Sequence, residues 1–337
     1  MKKGTIITAA TLMGVGCLLF AVALIAFGFD FTQLDTARYE TNTYTVTEAF
    51  ERINIRTSEA DITFQPSTDG KARVVCVERE TTKHEVSVQN GTLTVTVVDK
   101  RAWYEHMTFS LKPQSVTVYL PSEHYAALLL GTATGNISVS APFSFGQAEV
   151  TASTGNVTFG AAVNEGLKIH TSTGNIRLDG VHANGIDLSV STGRIEGSSL
   201  RCNTAFSVEV STGNTVLTNV VCQTLSSHGS TGNMTLKNVT AADSFQLERS
   251  TGNIRLAGCD AGQLTVRTST GNVHLDGSDA EQITVKTSTG NVTGTLLTDK
   301  VFSTKTSTGR VDVPDTTSGG KCEITTSTGN IRVTVTN

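Results

Sequence analysis

Six ionisable side chains recur every 19 or 20 residues in the second half of the chain, and they are the first candidates for chemistry. In order they are Glu209, His228, Glu248, Arg267, Lys286 and Lys305. Two carboxylates with a histidine between them could perform acid–base chemistry on a glycosidic bond. Three cations at equal spacing could instead bind an anionic ligand. Either chemistry requires a fold that brings residues one interval apart into contact.

A Thr-Gly pair marks the repeat that must position these side chains. The glycine recurs every 19 or 20 residues, at Gly135, Gly155, Gly174, Gly193, Gly213, Gly232, Gly252, Gly271, Gly290, Gly309 and Gly329. Most copies read Ser-Thr-Gly-Asn, and Arg194 and Arg310 replace the asparagine in two of them. Glycine adopts positive φ without steric cost, and serine and threonine bond neighbouring backbone groups. We therefore interpret each copy as one structural corner.

Apolar residues alternate on both sides of every corner. Val273 and Leu275 follow Gly271, for example, and Leu264 and Val266 precede it. Alternate residues of a strand point to one face, so each period contains two short strands. The pattern predicts an all-β fold, a parallel β-solenoid of about 11 coils with a period of 19–20 residues. Coils of such a fold stack at about 4.8 Å, and residues one period apart form columns.

The columns allow both chemical interpretations to be weighed. Glu209 and Glu248 would lie two coils or ~10 Å apart, just beyond the separation of about 6.5–9.5 Å used by inverting glycosidases. Scattered charges are nevertheless the usual content of outward strand positions, so we predict no enzyme, no cofactor and no metal site. Arg267, Lys286 and Lys305 would form a basic stripe on successive coils. That stripe is either solvated or binds anionic wall polymer or phospholipid head groups.

Cys202 and Cys222 occupy the ninth position after their corner glycines, in a column of mainly small residues. They would therefore lie one coil apart, within the separation that a disulfide permits. A disulfide and a plain column of small residues both remain open.

The amino terminus has the pattern of a membrane anchor. Lys2 and Lys3 precede an apolar run over residues 6–29, and 24 helical residues would span ~36 Å. A cleaved signal peptide and a lipoprotein modified at Cys17 are the alternatives, but the run is long and lacks the expected flanking residues. We expect a cytoplasmic segment at residues 1–5 and an extracytoplasmic remainder, because cytoplasmic flanks carry the basic residues.

The rest of the chain divides into three sections by its patterning. Residues 30–47 are polar and are predicted to be a juxtamembrane linker. Residues 48–131 are predicted to be a β-rich cap, which includes a degenerate corner with Ala60 and Asp61 in place of glycine and asparagine. Residues 132–337 hold the predicted solenoid. The formal net charge of -4 shows no bias towards nucleic acid.

The opening "AFERINIRTSEADITF", the "VTVYLP" strand at residues 116–121 and the tandem "STGNI"-type coils resemble the putative-adhesin family of bacterial cell-envelope β-strand-repeat domains of unknown function. The resemblance covers about residues 48–337. It implies a right-handed β-helix-like fold and a surface location, and it brings no catalytic residues. Some such proteins are membrane-anchored and associated with envelope-stress responses.

These observations predict a non-enzymatic, membrane-anchored, extracytoplasmic β-solenoid that serves as an adhesin or an envelope interaction scaffold. The expected partners are the membrane through the amino-terminal helix, and a cell-wall polymer, a glycan or another envelope protein. An accessory protein of an envelope-stress response and a carbohydrate-active enzyme are the alternative functions.

Overall fold

The computed structural model describes residues 3–26, 38–99, 112–121 and 124–336. These ranges hold one helix, α1 (Lys3–Ala26), followed by 27 strands. The strands, in chain order, are β1 Tyr39–Val46, β2 Arg52–Thr57, β3 Ala60–Pro66, β4 Ala72–Arg79, β5 Thr82–Gln89, β6 Thr92–Asp99, β7 Gln114–Leu120, β8 His124–Thr134, β9 Ile137–Val139, β10 Ser144–Thr154, β11 Val157–Phe159, β12 Ala162–Thr173, β13 Ile176–Asp179, β14 His182–Thr192, β15 Ile195–Cys202, β16 Ala205–Thr212, β17 Thr215–Thr231, β18 Met234–Thr251, β19 Ile254–Ala257, β20 Asp260–Thr270, β21 Val273–Asp276, β22 Asp279–Thr289, β23 Val292–Leu296, β24 Lys300–Thr308, β25 Val311–Asp312, β26 Gly320–Thr328 and β27 Ile331–Val335.

Parallel strands stack coil upon coil along most of the chain. β20 pairs in parallel with β18 and β22, and β21 pairs with β19 and β23. The inward side chains of these strands form one continuous core, in which Val273 and Leu275 are fully buried. The predicted parallel β-solenoid is confirmed. Eleven corners are separated by ten steps, which makes about ten turns.

Each corner packs directly on the corner of the next coil. The N–H of Gly135 donates to the Thr154 carbonyl at 3.0 Å, and the same bond recurs from corner to corner. Gly213 illustrates why glycine is required, since its φ is 142° and a Cβ there would lie 1.6 Å from the Gly193 carbonyl oxygen. Positive φ and close stacking therefore both exclude a side chain.

The asparagines after the corner glycines form a ladder along the rod. The Asn175 N–H donates to the Asn156 side-chain oxygen at 2.9 Å, and most coils repeat this bond. Asp61 supplies the oxygen at the amino-terminal end, where it accepts from the Asn136 N–H at 2.7 Å. Arg310 ends the ladder as a donor only, which suits an arginine because its side chain has no acceptor. The degenerate corner at Ala60 and Asp61 is therefore part of the stack.

The amino-terminal end of the rod is covered by antiparallel strands. The coil β2–β3 lies inside, between β8–β9 and an outer coil β6–β7. β4 pairs antiparallel with β7, β1 with β4, and β5 with β6. The stack of coils thus includes β2–β3 and β6–β7, which precede residue 132 in sequence.

Residues 39–46, expected to belong to the linker, instead form β1. Tyr44 and Val46 pack against the core from this strand, and alternating threonine, tyrosine and valine suit a half-buried strand. Residues 30–37 of the predicted linker lie outside the described residues, as do the first two residues of the chain.

The carboxyl-terminal end reverses the chain order. β26–β27 lies between β22–β23 and β24–β25, although it comes last in the sequence. Two glycines permit this insertion, because a Cβ at Gly319 or Gly320 would lie 1.9 Å from a carbonyl oxygen of a neighbouring coil. β24 and β25 therefore form the last coil, and Val311 on it is 44% exposed.

The helix α1 overlaps the predicted apolar run at residues 6–26, and residues 27–29 of that run lie outside the described residues. Among the described residues, no helix combines the length and the hydropathy required of a membrane span.

Candidate functional site

The outward column predicted from the repeat is present up to Lys286. Glu209, His228, Glu248, Arg267 and Lys286 occupy matching positions on successive strands. Lys305 is displaced by one step, because Thr325 of the inserted β26 pairs with Lys286 on one side and with Lys305 on the other. The three cations therefore do not lie on successive coils, and this expectation is corrected.

Carboxylates compensate most of the charge of this column. Arg267 contacts Glu248 at 2.9 Å, and His228 lies 3.3 Å from the other oxygen of the same carboxylate. Lys286 lies 3.8 Å from Glu323. His228, Glu248, Arg267 and Lys286 line a shallow groove of about 390 Å³. It is a groove of exposed ion pairs, each of which contributes little stability.

The electrostatics of Glu248 do not suit a general acid. The hydrogen bond from Arg267 holds the pKa of Glu248 below its usual range, and His228 acts in the same direction. A carboxylic acid that protonates a leaving group needs a raised pKa. Glu248 is therefore unsuited to the role of the general acid in such a pair.

A buried arginine lies behind this groove. The Arg249 guanidinium donates to Thr215 Oγ1 at 2.8 Å, to Ser227 Oγ at 3.3 Å and to the Glu248 carbonyl at 2.8 Å. Gly229 leaves the space for it, since a Cβ there would lie 2.8 Å from an Arg249 nitrogen. Burial lowers the pKa of Arg249 to about 10. The residues that depart from the repeat here are Thr215, Ser227, Gly229 and Arg249. Together they form one buried cluster with a structural role.

The cysteines are free thiols in the described structure. Cys202 and Cys222 donate to main-chain carbonyls at 3.2 Å and 3.7 Å, and no disulfide joins them. Burial raises the pKa of Cys222 to about 12. Among the described residues, one set of three places metal-ligating atoms within 4.8 Å of one another, namely Cys76, Glu78 and His84 in the amino-terminal cap.

An open trough of about 750 Å³ lies on the described residues and was missed at the level of sequence. It crosses β6, β2, β8, β10, β12, β14 and β16, which are neighbours in the stack. Six steps between these seven strands give a length of about 29 Å along the rod axis. The trough therefore runs across the coils and not within one of them.

Small residues occupy four of the five positions of one column that lines this trough. The eighth residue before successive corner glycines is Ala127, Gln147, Gly166, Gly185 and Ala205. No atom lies within 4 Å of an ideal Cβ at Gly166. This column was visible in the repeat alignment, and its small residues were the available signal.

Charged residues of alternating sign stand along one side of the trough. Glu149, Lys168 and Asp187 pair with one another on β10, β12 and β14, and Arg52 lies at the amino-terminal end. Leu128 and Leu167 are buried beneath them. The trough therefore presents charged side chains above buried leucines.

The fold and these surfaces define a β-solenoid repeat protein with an open trough along the rod axis. The Toastrack DUF4097 family model matches residues 50–219 and 216–337, so the chain belongs to that family.

Solved structures with a similar fold include two putative adhesins. The protein from Parabacteroides distasonis is 11% identical, with 89% of this chain and 98% of that chain covered and a TM-score of 0.49. The protein from Bacteroides fragilis is 12% identical, with coverages of 90% and 99% and a TM-score of 0.36. A putative lipid binding protein from Parabacteroides distasonis is 13% identical, with coverages of 90% and 98% and a TM-score of 0.32. No curated protein matches the chain significantly.

Proposed function

We propose that this protein is a non-enzymatic, membrane-tethered, extracytoplasmic scaffold of adhesin type, which binds an extended cell-wall polymer or glycan along its rod. The axial trough is the observation that carries the proposal. Its volume of about 750 Å³ is typical of ligand sites, and its direction across the coils matches a linear ligand. The corners, by contrast, bond to one another and leave few groups for a ligand.

The composition of the trough favours a polar polymer. Lys168 stands between Glu149 and Asp187 on adjacent strands, so the wall carries both signs of charge. Glycan hydroxyls and the charged groups of wall polymers can both bond to such a wall. Exposed backbone at Gly166 and Gly185 allows a chain to approach closely.

The helix α1 supports the membrane tether. Eight of its large apolar side chains are between 50% and 70% exposed, so the described residues leave them largely uncovered. The lysines Lys2 and Lys3 favour a cytoplasmic amino terminus and an extracytoplasmic rod. Protease treatment of intact cells is expected to degrade the solenoid and to leave the amino terminus protected.

A co-sedimentation assay with purified wall polymers and glycans tests the proposal. The substitution Gly166→Leu fills the trough without a backbone clash, and we expect it to weaken binding at least about tenfold, which corresponds to 1.4 kcal/mol. Thr158→Leu is the matched control, because Thr158 is an exposed strand residue of a neighbouring coil that does not line the trough. Equal binding by both variants, or no binding by the unmodified protein, would overturn the proposal.

A second candidate function is that of an accessory protein in an envelope-stress response, with another membrane protein as partner. The exposed end of the last coil favours it, since Phe302 and Val313 are only partly buried there. Photo-crosslinking from position 311 in membranes would capture such a partner, and a reactive group at position 158 provides the control.

A further inference from the structure

A buried group of three chemically active side chains lies in the amino-terminal cap, apart from the trough and the groove. Cys76 and Glu78 point inward from β4, and His84 lies on β5. Cys76 and Glu78 are 0% exposed and His84 is 3% exposed. One ligand atom from each residue lies within 4.8 Å of the other two. Burial of two acidic groups and an imidazole together is costly and calls for an explanation.

Hydrogen bonds hold two of the three side chains in place. Glu78 accepts from the His84 backbone N–H at 2.6 Å and lies 2.7 Å from His84 Nδ1. Asn42 on β1 donates to the other Glu78 oxygen at 2.7 Å, and Tyr44 donates to the His84 carbonyl at 3.0 Å. A carboxylate that orients an imidazole is a common support of metal-ligating histidines.

One polar atom of the group has no partner. His84 Nε2 is buried and makes no hydrogen bond within the described structure. Buried polar atoms are almost always bonded, and an orphan of this kind often marks the place of an ion or a water.

We infer that Cys76, Glu78 and His84 form a binding site for a divalent transition-metal cation of the Zn²⁺ type. Thiolate, imidazole and carboxylate are the three ligand classes that proteins use for Zn²⁺. A thiolate, a carboxylate and a neutral imidazole would together balance the charge of the cation, which removes the cost of an unpaired buried charge. Hard cations such as Mg²⁺ prefer oxygen ligands only.

The Cys76 thiol must lose its proton before it can coordinate the cation. Burial, with a smaller effect of Glu78, raises the pKa of Cys76 to about 12, so the residue does not suit a nucleophile. A bound cation deprotonates a coordinating thiol outright, and the proton leaves to solvent. Metal binding would also fasten β1 to β4 and β5 through Asn42 and Tyr44, and so would stiffen the cap.

Cobalt substitution tests the site in the full chain. Because the three side chains are buried, the protein should be refolded from denaturant with Co²⁺ or Zn²⁺ present and then dialysed. We expect one Co²⁺ per chain, a thiolate-to-cobalt charge-transfer band in the near ultraviolet, and a higher unfolding temperature with Zn²⁺. Cys76→Ser should abolish the band, and His84→Gln should lower the metal content at least tenfold.

Cys322→Ser is the matched control, since Cys322 is equally buried and the pKa of its thiol is also about 12. This variant should keep the band and the metal. No charge-transfer band in the folded unmodified protein would overturn the inference, as would equal bands in Cys76→Ser and Cys322→Ser. If His84→Gln fails to fold, the unmodified protein and the two cysteine variants still decide the question. Polymer binding by the trough is measured separately, so either proposal can fail alone.

Discussion

At each end of the rod the order of the last two coils in space is the reverse of their order in the sequence. The two ends differ in how these coils are covered. At the amino-terminal end the coil β2–β3 lies inside and the later coil β6–β7 lies outside. At the carboxyl-terminal end β26–β27 lies inside and the earlier coil β24–β25 lies outside. Antiparallel β1, β4 and β5 continue the sheet only at the first end, and no described strand pairs with the outer edge of β24.

Burial follows this difference. Leu93 and Val116 of the outer amino-terminal coil are 0% exposed. Phe302 of the outer carboxyl-terminal coil is only partly buried, and Val311 is 44% exposed. Because the last coil of a solenoid has a neighbour on one side only, its stability depends on capping. The antiparallel strands β1, β4 and β5, and not the outer coil alone, therefore close the core at the amino-terminal end.

Truncating one phenylalanine at each end should give the largest difference between the ends. Phe64 is 1% exposed and packs edge-on against Phe143 at 6.1 Å, so Phe64→Ala should lower the free energy of unfolding by about 4 kcal/mol. Phe302→Ala should lower it by only about 1 kcal/mol, because the side chain is already partly hydrated. Urea denaturation of both variants measures the two losses. Equal losses would mean that the carboxyl-terminal end is covered in solution.

The inserted coil at the carboxyl-terminal end is held by a buried ion pair. Lys300 on β24 contacts Asp279 on β22 at 2.6 Å, and their side chains are 3% and 9% exposed. Lys300 pairs with Gly320 of the inserted strand, so the lysine reaches across a residue that has no side chain. Lys300→Met leaves the charge of Asp279 buried without its counter-ion, with only the Ala280 N–H still donating to the carboxylate, and should cost about 3 kcal/mol.

Limited proteolysis and hydrogen exchange of residues 300–335 measure this loss. The double substitution Lys300→Met with Asp279→Leu should recover part of the stability, because it removes both buried charges. Arg332→Met is the control, since the Arg332–Asp312 pair is 74% and 72% exposed, and it should leave the proteolysis rate unchanged. Protection of this segment in Lys300→Met would contradict a role of the pair in holding the coil.

Periodicity explains which parts of this fold were predictable. The corners, the core columns and the outward column from Glu209 to Lys286 follow from one interval, because stacked coils keep their register. The position of Lys305 could not be predicted from the interval. β24 and β26 carry the same residue pattern, so the sequence does not show which of them pairs with β22. Residues outside the repeat decide the order, above all Gly319 and Gly320.

Other features depended on departures from the repeat. Thr215 stands where the other coils carry an apolar residue, but its partner Arg249 lies 34 residues away in sequence, and only the stacking shows that they meet. The same holds for His84 and Glu78, whose contact depends on the turn between β4 and β5. β1 was missed because its alternating residues are only half-buried. The trough could be predicted from the sequence by its column of small residues, which are Ala127, Gly166, Gly185 and Ala205.

The smallest predicted effect concerns the turn between β3 and β4 at the covered end. The Ser67 hydroxyl donates to Asp69 at 2.6 Å, and the Lys71 N–H donates to the same carboxylate oxygen at 3.2 Å. These hydrogen bonds, with a smaller contribution from Arg73, lower the pKa of Asp69 from 3.8 to about 2. Because the pKa is lower in the folded protein, the stabilisation is fully present above pH 3.8 and is lost as the pH falls towards about 2.

Carboxyl NMR titration of two variants separates the contributions to this pKa. Ser67→Ala should raise the pKa of Asp69 more than Arg73→Gln does, since the serine hydrogen bond is the largest cause and the charge of Arg73 is a minor one. Both side chains are half-buried and lie outside the hydrophobic core, so the core coils should keep their urea midpoint at neutral pH. A larger shift in Arg73→Gln would mean that the ion pair at 2.9 Å, and not the hydroxyl, orders the turn. In that case the Arg73–Asp69 pair at the covered end would act like the exposed Arg332–Asp312 pair at the open end. The two ends would then differ only in the strands that cover them.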